Sequence, residues 1–536
     1  MNFARWSRIL LACLLLSTAF SLTSGQHAVA GERGKAPAVI YRIRIKDLAG
    51  QTVDVEASFP VSKAREILYL PVWTPGYYVK EDYKKNVVRI QAYDDSGREL
   101  AITDVGANRW AVDTRGAHGI VVRYGLSAKE RSVSRNEVTP TYAVLNGSAT
   151  YITVRGGENL AREVSLELPE GWKSATGLRK IGVGQAPRFA ADDYEELVDS
   201  PILAGDLEIL DFTSKGTPHQ IAYNRGAVAV DKARMVSDLK TMVDETRGFW
   251  GEKPWRNYTF LIAFRTNTGG GLEHAHSTFV NVSPERFATE PGYNAFVALL
   301  AHEYQHAFNV KRLRPVELGP FDYEVVPTVS TLWISEGLTS YYSNLMLRRS
   351  GLIDDERNLG MLSKQITALQ NSPGRLKQSL EQSSMGVWSN SLSGFGASDS
   401  TVSYYVKGEV AGFLLDAHIR KMSGDKTSLD DVMRKAYGKY SGKVGFRPEQ
   451  FTAVAESVSG QPLKDWFSSV VGSPGELDYA EALDAYGLDL TRSETKDGSK
   501  FVLSVAPGED QTQAARRKAW LGTNRSAGSK ASMLGG

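Results

Sequence analysis

The stretch His302-Glu303-Tyr304-Gln305-His306 lies inside a helical pattern running from Asn294 to Asn309. On a helix, residues four apart stand one above the other, so both imidazoles face the same way. Two neutral imidazoles on one face suit a zinc ion, and the intervening Glu303 can reach a water beside that ion. Neighbours Leu299, Leu300, Ala307 and Phe308 point to a largely buried helix. Histidine is scarce, eight in 536 residues, and a chance match to H-E-x-x-H in such a chain is on the order of one in a hundred. The segment implies metal-assisted hydrolysis, with Glu303 taking a proton from water and later giving it up.

An open catalytic zinc site needs a third protein ligand. Downstream, Trp333-Ile334-Ser335-Glu336-Gly337-Leu338 places Glu336 near the start of an apolar helix expected over Leu332–Arg348. Glu336 can be read as a capping acid or as the third ligand, and the upstream histidines favour the ligand. Upstream, Gly269-Gly270-Gly271-Leu272-Glu273 follows an expected strand, Tyr258–Phe264. Glycines there permit close backbone approach, as when a peptide adds to a sheet edge. Glu273 is either an acid for a free amino terminus or a solvated acid in a flexible turn. His274 and His276 share a face if that segment is a strand, but lack a partner for a second metal site. Hydrolysis also needs a donor for the developing oxyanion. A tyrosine hydroxyl serves, but chemistry alone does not choose among twenty-three. Ser403-Tyr404-Tyr405-Val406-Lys407-Gly408 opens a helix that offers candidates.

Further out, residues 31–211 read as a β-rich domain, with alternating runs at Val39–Ile45, Val53–Phe59, Ile120–Tyr124 and Val164–Leu168. Within it, Trp73-Thr74-Pro75-Gly76-Tyr77-Tyr78 is an aromatic turn whose expected role is packing, with substrate contact the minority reading. Residues 212–350 read as an α+β catalytic domain, with strands ahead of a pair of helices. Residues 351–480 read as helical, including Asp354–Gln370 and Leu429–Ser441. Residues 481–536 read as a linker and a partly disordered end, since Gln511–Gly536 is polar, basic and free of acids.

Residues 1–30 have the make-up of a signal peptide: Arg5 and Arg8, an apolar stretch Ile9–Leu22, and Ala28-Val29-Ala30 for cleavage. The expectation is an exported protein, periplasmic or extracellular, with no later segment apolar enough to span a bilayer. Cys13, the one cysteine, falls inside that segment, so disulfides and thiolate ligands are excluded from the rest. Two of 63 basic residues and none of 61 acidic ones lie in residues 1–30, leaving the remainder formally neutral. That balance gives no support to a nucleic-acid partner.

Several motifs together resemble the PDZ-associated glycyl aminopeptidase family of zinc metallopeptidases, gluzincins related to aminopeptidase N. They are His302 through Lys311, Trp333 through Tyr342, Gly270-Gly271-Leu272-Glu273-His274 and Tyr405-Val406-Lys407-Gly408. Trp73 through Tyr77 and Asp193 through Pro201 resemble the family's N-terminal β domain. The resemblance implies a β-rich N-terminal domain, a thermolysin-like catalytic domain and a helical domain. It implies one zinc on His302, His306 and Glu336, with peptides as substrates and small residues, Gly or Ala, released from their amino termini. Gly270 and Gly271 then form the substrate edge, Glu273 contacts the amine, and Tyr405 stabilises the tetrahedral intermediate.

The chain departs from that family in two places. Lys518-Ala519-Trp520-Leu521-Gly522 resembles the start of the family's PDZ domain, of which the sequence given holds only this remnant. Thermolysin relatives often carry an acid four residues after the ligand Glu to support a zinc histidine. Here Ser340 stands there, a hydrogen-bonding group without charge. An endopeptidase on the same site and a non-catalytic peptide-binding protein are the alternative readings.

Overall fold

The computed structural model describes residues 39–182, 184, 186–251, 254–389, 398–496 and 498–522. The expected signal segment, with Cys13 and His27, lies outside the described residues. So do residues 390–397 and the end from 523 onward.

The architecture is the expected multidomain α+β. In the first region the alternation seen in the sequence becomes pleated strands with one buried face. Val39–Arg44, Thr52–Pro60, Gly119–Ser127 and Arg162–Glu167 stand side by side in an eight-stranded sheet. Val39, Tyr41 and Ile43 point inward, and Tyr41 packs with Leu68, Trp110, Tyr124 and Tyr151 in one core.

A five-stranded sheet carries the next region. Its order is Leu207–Ser214, Thr217–Asn224, Tyr258–Phe264, Ser277–Val282 and, at the edge, Gly271–Glu273. The boundary expected at 211/212 falls inside its first strand, which pairs along its whole length with Thr217–Asn224. Alternation alone does not say which of two sheets a strand joins. Tyr258–Phe264 and Ser277–Val282 are buried at every position, the mark of strands covered on both faces. One cover is a small sheet of the N-terminal region: Tyr142, Val144 and Leu203 pack with Leu261, Ala263, Leu272 and Phe279. The other cover is helical, with Lys232–Trp250 and Glu290–His306 lying across the sheet.

The helical region that follows includes Asp355–Gln370, Tyr404–Ser423, Leu429–Tyr440 and Pro448–Ser459. Beyond it the structure corrects the expectation of a loose end. Leu488–Thr495 and Gly498–Val505 form a hairpin on Asp355–Gln370, where the Leu503 amide donates to Ser363 Oγ at 2.9 Å. Gln511–Leu521 is a helix, its first turn closed by a reciprocal Asp510–Gln513 cap. Trp520 is buried, stacks on Tyr486 at 4.5 Å and donates from Nε1 to the Tyr341 hydroxyl at 2.8 Å. The polar composition misled because two apolar side chains, Trp520 and Leu521, suffice to dock this helix. Trp520 and Leu521 thus pack into the helical core. Among the described residues no helix is long and apolar enough to cross a membrane.

Candidate metal centre and active site

The helix Glu290–His306 starts at Thr289, whose side chain accepts from the Gly292 amide, with Pro291 in the first turn. Its inner face rests on an aromatic bed. Tyr304 packs edge-on to Tyr258 at 4.9 Å and Trp255 at 5.5 Å, and its hydroxyl lies 3.3 Å from His219 Nε2. His219 had no assigned part in the sequence reading; burial lowers it to about 4, so it stays a neutral prop beneath the helix.

His302 and His306 emerge on the opposite face with Nε2 atoms 3.0 Å apart. Glu336 Oε2 comes within 3.0 Å of His306 Nε2 and 3.6 Å of His302 Nε2. Each outer ring nitrogen has its own partner: His306 Nδ1 lies 3.0 Å from the Asn309 carbonyl, and His302 Nδ1 lies 3.4 Å from Ser340 Oγ. The Asn309 carbonyl can only accept, so it fixes the His306 tautomer with Nε2 turned inward, while the Ser340 hydroxyl steadies the His302 ring. Ser340 therefore does occupy the supporting position, with a hydroxyl in place of a carboxylate.

Glu336 sits in a π-helical turn, Trp333–Gly337, and not in the single α-helix expected there; the α-helix proper is Leu338–Arg349. Such turns recur at functional sites because the wide turn re-aims a side chain. Asn309 ties this turn to the end of the histidine helix, donating to the Ile334 carbonyl at 2.8 Å and to Thr339 Oγ1 at 3.0 Å. Gly337 packs directly against Gly408, where a side chain on either would meet the other's backbone. The helix Tyr404–Ser423 can thereby approach closely, bringing the Tyr405 ring to 6.2 Å from His302.

This donor set fits a metal ion. Among the described residues it is the group of three His, Cys, Asp or Glu side chains that could hold one. Four-coordinate zinc with bonds of about 2.0–2.1 Å sets its ligand atoms about 3.3 Å apart, close to the spacings seen here. Glu336 Oε1 is buried without a hydrogen-bond partner among the described residues. The charges agree. Burial opposes a charge on His306, yet Glu336 and Glu273 outweigh it and raise His306 to about 10. Burial also opposes ionisation of Glu336, but His306 and His302 hold it at about 2. The positive charge that Glu336 draws onto His306 is one a bound metal ion could supply in its place.

Glu303, 4% exposed, faces this space. Burial pushes its carboxyl well above the usual range; His306 opposes the rise while Glu273 and Glu336 add to it. Gly271 lies against it, and a Cβ there would collide with the Glu303 carboxylate. Gly270 takes a φ of +98°, a conformation open to glycine, and its carbonyl accepts from the Asn281 amide at 2.9 Å. Gly271–Glu273 pairs with Ser277–Val282 on one side only, so its other edge is open to an added strand.

Glu273 is not the solvated acid of a flexible turn. It is 4% exposed, and burial raises its pKa against the pull of His306 and Lys311. Beside it in the chain begins a network that spacing in the sequence does not reveal. Lys311 Nζ donates to Asp199 Oδ1 at 2.8 Å, His274 Nδ1 lies 3.1 Å from the same oxygen, and Asp199 Oδ2 accepts from the Ala275 amide at 2.7 Å. Asp199 and Lys311 both fall in the quoted motifs, Asp193–Pro201 and His302–Lys311, but neither carries a role readable from spacing. His274 is buried in the turn and His276 half-buried, so the two do not act as a pair. The other unforeseen neighbour is Gly76, from the N-terminal aromatic turn, whose Cβ would collide with both Glu273 oxygens.

With that geometry in view, likeness to known proteins can be placed. Residues 40–206 match the peptidase M61 N-terminal domain and residues 295–411 match the M61 glycyl aminopeptidase domain. An aminopeptidase N family protein from Idiomarina loihiensis superposes with a TM-score of 0.81 at 28% identity, covering 85% of this chain and 79% of that one. The M1 zinc metallopeptidase from Deinococcus radiodurans gives 0.53 at 12% identity over 82% and 93%. Native yeast LTA4 hydrolase gives 0.53 at 13% identity over 84% and 70%, and both of these distant matches speak to the fold. No curated protein sequence matches the chain. The protein is thus a peptidase of the metallopeptidase class. More particularly, the chain belongs to the M61 glycyl aminopeptidase family.

Proposed function

We propose that the protein is an exported zinc aminopeptidase that releases small amino-terminal residues, Gly or Ala, from peptides. The observation that carries this reading is the convergence of His302, His306 and Glu336 beside Glu303, with a second buried carboxylate, Glu273, closing the end of an open strand edge. The family's description as glycyl aminopeptidase and the zinc named in its M1 structural neighbours support it.

A peptide adds to the free edge at Gly270 and Gly271 through its backbone. Its protonated amine meets Glu273, which is next in the chain to His274 of the Asp199–Lys311–His274 network. His302, His306 and Glu336 would hold a zinc ion, which when bound would supply Lewis-acid polarisation of the first carbonyl and make water a stronger acid. Glu303 takes a proton from the attacking water and delivers it to the departing amine, so that its carboxyl ends as it began. Burial suits it to this exchange because it brings the proton affinity of the carboxyl nearer to that of its partners. Tyr405 stays protonated, since burial and then Glu336 push its phenol far up, and its hydroxyl donates to the carbonyl oxygen as that oxygen gains charge.

The test is a peptide library with free or acetylated amino termini, read by sequencing of products. Release of single Gly and Ala residues from free peptides alone is expected. Internal cleavage of acetylated peptides at an equal rate would instead establish an endopeptidase.

A further inference from the structure

The N-terminal aromatic turn is far better anchored than a packing loop requires. Trp73 Nε1 donates to the Asp322 carbonyl at 3.0 Å, and the Val72 amide donates to the Tyr323 carbonyl at 2.8 Å. Thr74 Oγ1 and the Tyr83 hydroxyl are hydrogen-bonded at 2.6 Å, and the Tyr77 amide donates to the Thr74 carbonyl at 3.0 Å. Tyr77 packs on the cluster holding Leu272 of the edge strand. Held this way, Gly76, at φ +91°, sets bare backbone against the Glu273 carboxylate.

Two residues on, Tyr78 is 4% exposed and has a φ of +35°. A bulky side chain at positive φ persists only where its surroundings over-determine it, and such residues gather at ligand clamps. Its ring stands edge-on to Trp388 at 5.9 Å. Since Gly76, two residues earlier, lies against the Glu273 carboxylate, the Tyr78 ring stands beside the amine acid; burial first, then the Glu336 and Glu273 carboxylates and Tyr404, raise its phenol.

We infer that the Thr74–Tyr78 turn is the wall against which the substrate's first side chain is measured, with Tyr78 as the specificity-determining residue. The inference rests on the aminopeptidase reading. A substrate with its amine on Glu273 must place its first Cα close to Gly76, and its side chain then grows toward the Tyr78 ring backed by Trp388. A hydrogen or a methyl fits such a wall; a branched or aromatic side chain meets it. The limit on size is supplied by a segment some two hundred positions before the edge strand, from the other region of the chain.

The experiment compares kcat/KM for Gly-, Ala-, Leu- and Phe-anilides on the wild type, Tyr78→Phe and Tyr78→Ala, with zinc content and circular dichroism as controls. The Leu-to-Gly ratio is expected to rise by about 10-fold or more in Tyr78→Ala, in line with what a few methylenes decide in an apolar pocket. Tyr78→Phe keeps the ring and is expected to keep the wild-type ratio. If the alanine variant fails to fold, Tyr78→Leu retains apolar packing on Trp388 and gives the same readout with a smaller rise. An unchanged ratio in a folded, zinc-loaded Tyr78→Ala or Tyr78→Leu overturns the wall alone. Equal cleavage of acetylated and free substrates by the wild type overturns the aminopeptidase reading and the wall with it.

Discussion

The metal corner and the amine corner of this site each hold buried carboxylates, and each is closed by a glycine: Gly271 against Glu303, Gly76 against Glu273. They are built differently. The metal corner is made by helical turns between His302 and Ser340, stitched by Asn309 and resting on the Tyr304 bed. The amine corner draws on four separate stretches, around Gly76, Asp199, Glu273 and Lys311, and exists only where the N-terminal region meets the five-stranded sheet. On the proposed reading, reaction chemistry is secured locally, while the choice of substrate depends on how two regions are docked. Damage to the first corner should show in kcat, and damage to the second in KM and selectivity.

The largest expected effect is at the metal corner. Glu303→Gln should lower kcat on Gly-anilide by about 1,000-fold or more while zinc content, measured by atomic emission, stays at the wild-type level. Equal turnover by the two proteins would break the assignment of Glu303 as the proton carrier. At the amine corner, Glu273→Gln should lower kcat/KM for free-amine substrates by about 100-fold, mainly through KM. Acetylated peptides should then compete on nearly equal terms. A fall in kcat with KM unchanged would mean that Glu273 belongs with the reacting atoms and that the two corners are one.

The smallest effect separates both corners from general stability. Glu409, on the helix that presents Tyr405, is buried and accepts from Asn344 Nδ2 at 2.9 Å, and burial raises it to about 7. Its folded pKa exceeds the unfolded value near 4.5, so the folded chain holds the proton more tightly. The stability this brings is fully present below about 4.5 and is lost as pH rises through 7. Glu409→Gln, which cannot ionise, should raise the melting temperature by a few degrees at pH 8 and leave it unchanged near pH 4.5. A similar shift at both pH values would point to packing rather than charge.

Much of the metal corner was legible because its chemistry has a period. Two histidines four apart declare a helix face, and Glu336 follows on an element of its own. The π-turn at Trp333–Gly337 was not legible, since its side chains suit an α-helix and the extra backbone residue reflects the close Gly337–Gly408 crossing. Strand positions were readable wherever one face is buried, as at Val39–Arg44, and sheet membership was not, as at Leu207–Ser214. Gly76 and Asp199 fall in recognisable motifs, but nothing local showed what either touches. A glycine in a Pro-Gly turn satisfies the turn by itself, and only the docked fold brings it against a carboxylate. The expectation that the aromatic turn serves packing holds for Trp73 but leaves out Gly76 and Tyr78.

The helix Gln511–Leu521 also bears on how the catalytic helices are backed. The buried carboxylate of Asp416 accepts from Tyr341 at 2.9 Å and Tyr486 at 3.2 Å, and Trp520 stacks on the second while bonding the first. Asp416 lies on the helix that begins with Tyr404 and Tyr405, and Tyr341 on the one that follows Glu336. Trp520 therefore closes the space behind the catalytic helices, and the last described helix takes part in holding Tyr341 and Asp416 in place.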